Sequence, residues 1–423
     1  MEFKEHLKQY LSEKEIEELI VSLDKDPFHG VLLNPQKMSD EKFLSLFPNV
    51  TKHPIVKHAF IYDKNKYELG KSIYHMLGCF YLQEPSAMLP AYLLNASNDD
   101  LVLDMCAAPG GKTVQTSFLL NNKGLIIAND LSRSRASIIV ENVERLGLGN
   151  VIITNNDLSL IYQKYLNKFD KIILDAPCSG SGMFRKEEKM EDDWSYGKVL
   201  KFAETQKQLI SIAYDMLKPG GLLMYSTCSF SKEEDEDVIS HLLTNSDAEI
   251  IELNNPLYYK NKNSPLGVHL LPSIFPGEGH YLCLIKKPGI CPSNGQKESK
   301  NSSKFGLDFK EIYNFGNFIF GLNHDFKSKN FNILRLGVKV GELIKNEIKY
   351  DYHYAHYISS FDNEVELNEE EVNKYLKGET ISKEINKGWI LLKYQGIPLD
   401  LTKSDGRIIK NHLPKFLRNK YKF

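Results

Sequence analysis

The chain has 423 residues, too many for one ordinary core, and its 53 bases and 55 acids leave a formal net charge of -2, so it suits two or three domains, and any basic surface must be local. Its six cysteines, Cys79, Cys106, Cys178, Cys228, Cys283 and Cys291, include no C-x-x-C pair, which excludes a disulfide framework and a paired-cysteine zinc site. Free thiols in a reducing compartment fit that pattern, and no metal is expected.

The first segment, "MEFKEHLKQYLSEKEIEELIVSL", has leucines at helical spacing among charges and predicts a helix over Phe3 to Leu23. It lacks the unbroken apolar stretch of a signal peptide, and no run in the chain reaches the ~18 residues needed to span a bilayer, so a cytoplasmic protein without membrane contact is expected. Mixed segments follow around "GVLLNPQKMS" and "HAFIYDKNKYELG", so that residues 1 to 78 read as a small α+β region.

From Leu101 the character changes. "LVLDM", "GLIIAND", "VIITNND", "KIILDAP" and "GLLMYSTCS" are apolar runs separated by helix-like stretches such as Val114 to Leu120 and Arg133 to Leu146. Alternation of this kind predicts a doubly wound α/β domain over residues 79 to 287, with a parallel sheet covered on both faces. Residues 288 to 304, "PGICPSNGQKESKNSSK", are polar and rich in turn formers and read as a linker. Residues 305 to 423, with "FNILRLGVKVGEL" and "GWILLKYQGIPL", read as a small β-rich domain. From Lys393 onward bases exceed acids by six, interleaved with His412, Phe416 and Tyr421. That combination suits a polyanion carrying bases, although a solvated arm has the same composition.

In "LVLDMCAAPGGKT" a strand ends at Asp104 and meets a helix near Lys112 through small residues, which let a ligand approach the backbone. A phosphate-binding Walker loop requires glycine where Cys106 stands, and G-x-G-x-x-G is also absent. A ligand with little or no phosphate is therefore favoured. The next two strands end in Asp130, where ribose hydroxyls are bound in such folds, and Asp157, able to accept from an adenine amino group. Each acid alone reads equally as a turn or cap residue. Together at carboxyl ends they suit a cationic nucleoside such as S-adenosylmethionine.

"KIILDAPC" and "GLLMYSTC" end two consecutive predicted strands, placing Cys178 and Cys228 on one crevice if the strands are neighbours. Carbon 5 of a pyrimidine is a poor nucleophile until a thiolate adds to carbon 6 and turns the ring into an enamine. Asp175 can bind N3 and the exocyclic amino group and stabilise the charge that develops. A base must then remove the carbon 5 proton, and Cys178 is placed to assist that second half. Spacing alone does not decide which thiol attacks. Methylation of an exocyclic nitrogen uses an Asn/Asp-Pro-Pro-aromatic segment instead, whereas this chain has "DAPC".

The stretches "FYLQEPSAMLP", "DMCAAPGGKT", "DAPCSGSGMFRK", "YSTCSFSKEEDEDVI" and "FPGEGHYLCLI", covering roughly Phe80 to Lys287, resemble the Nop/Sun family of RNA 5-methylcytosine methyltransferases. The resemblance implies a Rossmann-like domain that uses S-adenosylmethionine, with Cys228 as nucleophile and Cys178 aiding product release. It also implies that Cys106, Ala107, Ala108, Pro109, Gly110, Gly111, Lys112, Asp130, Asp157 and Asp175 line the cofactor site. "LRLGVKVGEL", "YLKGE", "GWILLKYQGIPLDL" and "RIIKNHLPKFLR" are similar to the C-terminal PUA-like extension of the branch that acts on 16S ribosomal RNA; Asp400 stands where that pattern has glycine, and "LLPSIFPGEGH" lacks its usual base. The expectation is an RNA (cytosine-5) methyltransferase acting on 16S ribosomal RNA or the small subunit, with RNA-binding regions on both sides of the catalytic domain and no obligate protein partner. A transfer RNA methyltransferase, a DNA methylase and a non-catalytic ribosome assembly factor are the alternatives.

Overall fold

The computed structural model describes residues 3–290 and 307–421, apart from 122, 187, 325, 327–329 and 346. Most of the expected linker, and Cys291, lie outside the described residues. The described residues build four sheets, of four, nine, four and five strands.

The nine-stranded sheet is the centre. Its parallel heart runs Leu217–Thr227, Phe169–Asp175, Leu101–Asp104, Leu125–Asn129, Val151–Thr154. Val102, Ile126, Ile152 and Ile172 are fully buried along it, and so are their neighbours Leu103, Ile153 and Ile173. Burial of both faces is why these strands read as unbroken apolar runs rather than alternating ones. Helix Arg133–Leu146 lies against the sheet, capped by Ser132, whose hydroxyl accepts from the Arg135 amide. The chain leaves Leu101–Asp104 in one direction through two strands and returns to its other side with Phe169–Asp175. The crevice between those two strand ends is therefore the topological switch point, where open α/β sheets bind ligands.

Antiparallel strands extend both edges. His280–Lys286 pairs with Leu217–Thr227, with Tyr281 opposite Thr227. Ile333–Leu336, from the segment read as part of the C-terminal domain, pairs with Val151–Thr154 and closes the far edge. The rest of residues 305 to 421 separates into two sheets: Glu311–Phe315 with its partners, and a second built around Gly388–Tyr394 and Ile397–Ser404.

The flanking regions are not independent appendages. The expected helix from Phe3 to Leu23 breaks into Phe3–Leu7 and Glu13–Leu23, because Ser12 starts the second with a capping box: its amide donates to Glu15 and its hydroxyl accepts from the Glu15 amide. Leu7, Tyr10 and Ile16 pack with Phe230, just beyond Cys228. The N-terminal sheet shares a core with the C-terminal five-stranded one: Val31, Phe43, Phe60 and Phe80 lie in one cluster with Tyr375, Leu392, Leu413 and Tyr421. The basic end is accordingly a folded part of this core. Tyr421 is buried, which removes it from any base-stacking role, and Asp400 is buried, accepting from the Tyr375 hydroxyl at 2.7 Å.

A buried ion pair fastens the N-terminal region to the catalytic sheet. Arg185 Nε lies 2.7 Å from Glu278 Oε2, the two side chains being 3% and 1% exposed. Arg185 also donates to the carbonyls of Ser22 and Gly277, and Glu278 accepts from the Phe28 amide at 2.7 Å. Removing one partner strands a charge in the interior, so Glu278→Ala should cost about 3 kcal/mol or more in urea unfolding at neutral pH; a loss near the surface-pair level of ~0.5 kcal/mol would show that the site is reached by water.

Candidate active site

The switch-point crevice is lined by the loop from Met105 to Gly110. Gly110 has φ +113°, a conformation that favours glycine, and helix Gly111–Leu119 begins immediately after it. Asp104 is buried beneath this loop. Its Oδ2 accepts from the Thr113 hydroxyl at 2.7 Å, its Oδ1 has no hydrogen-bond partner, and burial pushes its carboxyl up to about 7. Asp130 is also buried; it accepts from the amides of Ala108, at 3.2 Å, and Ser132, at 2.9 Å, and so ties the end of its strand to the loop. Ala107 and Ala108 are buried, Cys106 is half-buried with its thiol raised by burial, and Pro109 is exposed. Asp157 stands apart. It is exposed and caps the short helix Leu158–Ile161, its Oδ1 accepting from the Ser159 amide and hydroxyl.

Asp175 ends the strand next to Leu101–Asp104 and is the most heavily engaged carboxylate in the crevice. Oδ2 accepts from Lys112 Nζ at 2.7 Å, and Oδ1 accepts from the Ser226 hydroxyl at 2.7 Å. Burial alone would raise this carboxyl. The Lys112 ammonium and His280 outweigh it and hold Asp175 well below the usual carboxylate range. Lys112 is buried as well, yet Asp175 keeps its ammonium charged. The carboxylate is therefore an ionised hydrogen-bond acceptor at neutral pH.

The two thiols meet beside it. The parallel register pairs Asp175 with Ser226, so the three residues after Asp175 and the two after Ser226 leave their strands on the same side. Cys178 Sγ and Cys228 Sγ are 3.0 Å apart, and both residues are half-buried. The hydrogen bond with Cys228, reinforced by burial, pushes the Cys178 thiol well above its usual range. Cys178 thus keeps its proton and can offer it to the sulfur of Cys228. A surface pocket reaches Cys178, and Ser179, Asp193, Lys198, Lys201, Phe202 and Thr205 also line it. By contrast Cys79 and Cys283 are fully buried in cores, where a cysteine acts as a small hydrophobe.

The two sulfur-bearing loops are held in register by groups that motif spacing did not single out. Glu234, fully buried, accepts from the Ser179 amide at 2.8 Å, the Ser229 hydroxyl at 2.7 Å and Gln206 at 3.1 Å. Gly182 donates its amide to the Cys228 carbonyl at 2.8 Å, and a Cβ there would stand 2.7 Å from the Gly279 carbonyl oxygen. Glycine in "CSGSG" is therefore required by close backbone approach to the loop of the other thiol. Behind Cys228, Thr227 donates to Asp235 at 2.6 Å, and buried His269 faces Glu236 at 3.0 Å and Asp235 at 4.0 Å. Ser226, Glu234 and His280 carried no sequence signal beyond their place in longer motifs.

The Lys112–Asp175 pair has a pH signature. Asp175 is depressed in the folded state, so its contribution is present above the ordinary carboxylate range and lost as pH falls below about 4. Lys112→Met should be less stable than wild type at pH 7, with the gap narrowing in urea unfolding below about pH 4; a gap independent of pH would sever the linkage between this pair and stability.

Similarity to known proteins follows the same division of the chain. Residues 91–286 match the family model of 16S rRNA methyltransferase RsmB/F, residues 1–85 that of the N-terminal domain of 16S rRNA methyltransferase RsmF, and residues 362–419 the methyltransferase RsmF PUA domain. The chain is 33% identical over 400 residues to Ribosomal RNA small subunit methyltransferase F of Vibrio parahaemolyticus, covering 84% of this chain and 82% of that protein. It is 30% identical to the Shewanella woodyi protein of the same name, with 92% and 90% covered. Among solved structures, a methyltransferase homolog from Pyrococcus horikoshii superposes with a TM-score of 0.60 at 29% identity, over 67% of this chain and 93% of that one. NSun6 from the same organism shares the fold, with a TM-score of 0.62 at 22% identity over 68% and 98%. With about a third of residues identical across most of both chains, and the thiol-bearing sheet inside the matched region, this chain belongs to the RsmB/F family of 16S rRNA methyltransferases.

Proposed function

We propose that the protein methylates carbon 5 of a cytosine in 16S ribosomal RNA, using S-adenosylmethionine and a transient bond between Cys228 and carbon 6 of the base. The observation that carries this reading is the pair of half-buried sulfurs 3.0 Å apart at the ends of adjacent strands, beside an ionised carboxylate. The names borne by its relatives support ribosomal RNA as substrate.

The crevice residues fit the cofactor. The buried, unpartnered Oδ1 of Asp104 is an acceptor for a cationic ligand, Asp130 stands at the strand end where ribose hydroxyls are bound, and the Cys106–Lys112 crossing admits close approach to its backbone. Asp157 would reach the ligand only with the oxygen that its helix cap leaves free. When bound, S-adenosylmethionine supplies a methyl group on a cationic sulfur, the electrophile that carbon 5 requires.

The chain's own groups divide the remaining work. Cys228, as thiolate, adds to carbon 6; the electron pair of the ring double bond moves toward N3, which takes up a proton, and carbon 5 becomes nucleophilic. Asp175, being ionised, only accepts hydrogen bonds, so the exocyclic amino group is its partner; neutral N3 is itself an acceptor and offers it nothing. Once the methyl group is in place, water takes the carbon 5 proton, whose electron pair re-forms the double bond to carbon 6 as the bond from carbon 6 to sulfur breaks, and the N3 proton returns to the solvent that supplied it. Cys178 assists that half by donating its S–H to the sulfur of Cys228 as it departs with the electron pair. Lys201 and Phe202 at the pocket offer a cation and a stacking ring to an RNA strand, whereas Lys198 there is paired with Asp193. The N-terminal region and the PUA-matched sheet, joined by one core, extend the RNA-binding surface on either side of the catalytic domain.

Cys228→Ala should abolish incorporation of labelled methyl into 16S RNA, whereas Cys178→Ala should leave a denaturation-resistant protein–RNA adduct on gels. Equal loss with no adduct in either variant reverses or voids the assignment. Calorimetric titration of S-adenosylmethionine separates the enzyme from an assembly factor that keeps the fold, and matched RNA and DNA oligonucleotides separate it from a DNA methylase.

A further inference from the structure

His280 faces the reactive centre, and neither the proposed chemistry nor the motif spacing gives it a task. It is 5% exposed and begins the strand that pairs with Leu217–Thr227; since Tyr281 stands opposite Thr227, His280 lies one residue further along, beside Cys228. One ring nitrogen, Nε2, is 3.6 Å from Asp175 Oδ1 and has no hydrogen-bond partner in the free protein. The other, Nδ1, is 3.4 Å from Ser86 Oγ.

The polarity of these contacts determines how the ring is protonated. Ser86 has one hydroxyl proton, and that proton points at Glu84, whose two oxygens lie 2.6 and 2.7 Å away. Glu84 is further held by the amides of Ser86, Ala87 and Glu278, each at 2.7 Å, and stays ionised: burial would raise it, but His280, Lys186 and these bonds outweigh burial. Ser86 Oγ is thus free only to accept, so Nδ1 carries a proton. Nε2 faces a carboxylate oxygen, so the ring lies between two acids, Asp175 and Glu84.

We propose that His280 is a positioning and specificity-determining residue, which locks Asp175 as an acceptor with a single free position and so selects a base bearing an amino group over one bearing a carbonyl. This rests on the cytosine methyltransferase reading given above. A carboxylate has about four acceptor positions. Lys112 takes one on Oδ2, and Ser226 takes one on Oδ1. His280, 3.6 Å from Oδ1, stands over the other position there without bonding to it and shields it from the base, which leaves one on Oδ2. Cytosine presents an N–H donor at carbon 4 and uracil an oxygen, so an acceptor held fixed and ionised attracts the first and repels the second. Without His280 the Oδ1 edge is released, and the carboxylate can turn or take up a proton and tolerate uracil.

The charged and titratable groups facing His280 are Asp175 from its strand, Glu84 from the turn after Phe80–Leu82, Lys112 across the carboxylate, and Cys228 from the neighbouring strand. The test uses full-length protein, S-adenosylmethionine and RNA fragments spanning the position that bisulfite sequencing identifies as methylated, with 5-fluorocytidine or 5-fluorouridine placed there. The readout is the ratio of covalent trapping rates on the two RNAs. His280→Phe should lower the preference for cytidine by about tenfold or more, and His280→Gln, which keeps an N–H, should restore most of it. An unchanged ratio in a folded His280→Phe protein overturns the proposal. If neither variant folds, Ser86→Ala, which removes the contact at Nδ1 that holds the ring, decides, and an unchanged ratio overturns the proposal. Failure of the wild type to trap 5-fluorocytidine would instead sink the methyltransferase reading itself.

Discussion

The parallel pairing of Phe169–Asp175 with Leu217–Thr227 is the constraint on which the site depends. In that register Asp175 faces Ser226, and the loops that follow carry their sulfurs to within 3.0 Å of one another. A slip of one residue would turn every side chain on one strand to the opposite face and part the thiols from the carboxylate. Both strands are buried on both faces, so the hydrophobic cost of such a slip protects the chemistry.

The electrostatics of the crevice follow from burial inside this frame. Asp104, with no cation bonded to it, is raised by burial, whereas Asp175, paired with Lys112, is depressed. Two acids on neighbouring strand ends are thus driven in opposite directions by one difference in their partners. Lys112 is the decisive group, because it starts on the helix that the Gly110 turn launches and ends on a strand across the switch point. The hydrogen bond with Cys228, reinforced by burial, keeps Cys178 protonated next to it.

The flanking regions stabilise this centre from behind. The Tyr10 hydroxyl donates to the Phe230 carbonyl at 2.7 Å, so the first helices brace the loop that follows Cys228. The N-terminal and C-terminal sheets join through one core although more than 300 residues of chain separate some of their contacting members, as in the bond between the Tyr74 hydroxyl and Gln395. The two flanking sheets are thus one packed body rather than separate appendages.

Much of this was legible in the residues themselves. Continuous apolar runs ending in acids specify a parallel sheet with a ligand crevice, because burial of both faces leaves no polar alternation and strand ends collect polar chemistry. Cys178, Cys228 and Asp175 could be named because thiol and carboxylate chemistry is unusual at strand exits. What remained for the tertiary structure was everything that depends on distance between segments remote in sequence: the sharing of Asp175 by Lys112, Ser226 and His280, the Glu234 clamp on both loops, the split of the first helix at Ser12, the burial of Tyr421 and the solvent-facing cap made by Asp157. Local sequence sets which groups are available and which elements they occupy; only the packed fold sets the separations and burial on which their charge and protonation depend.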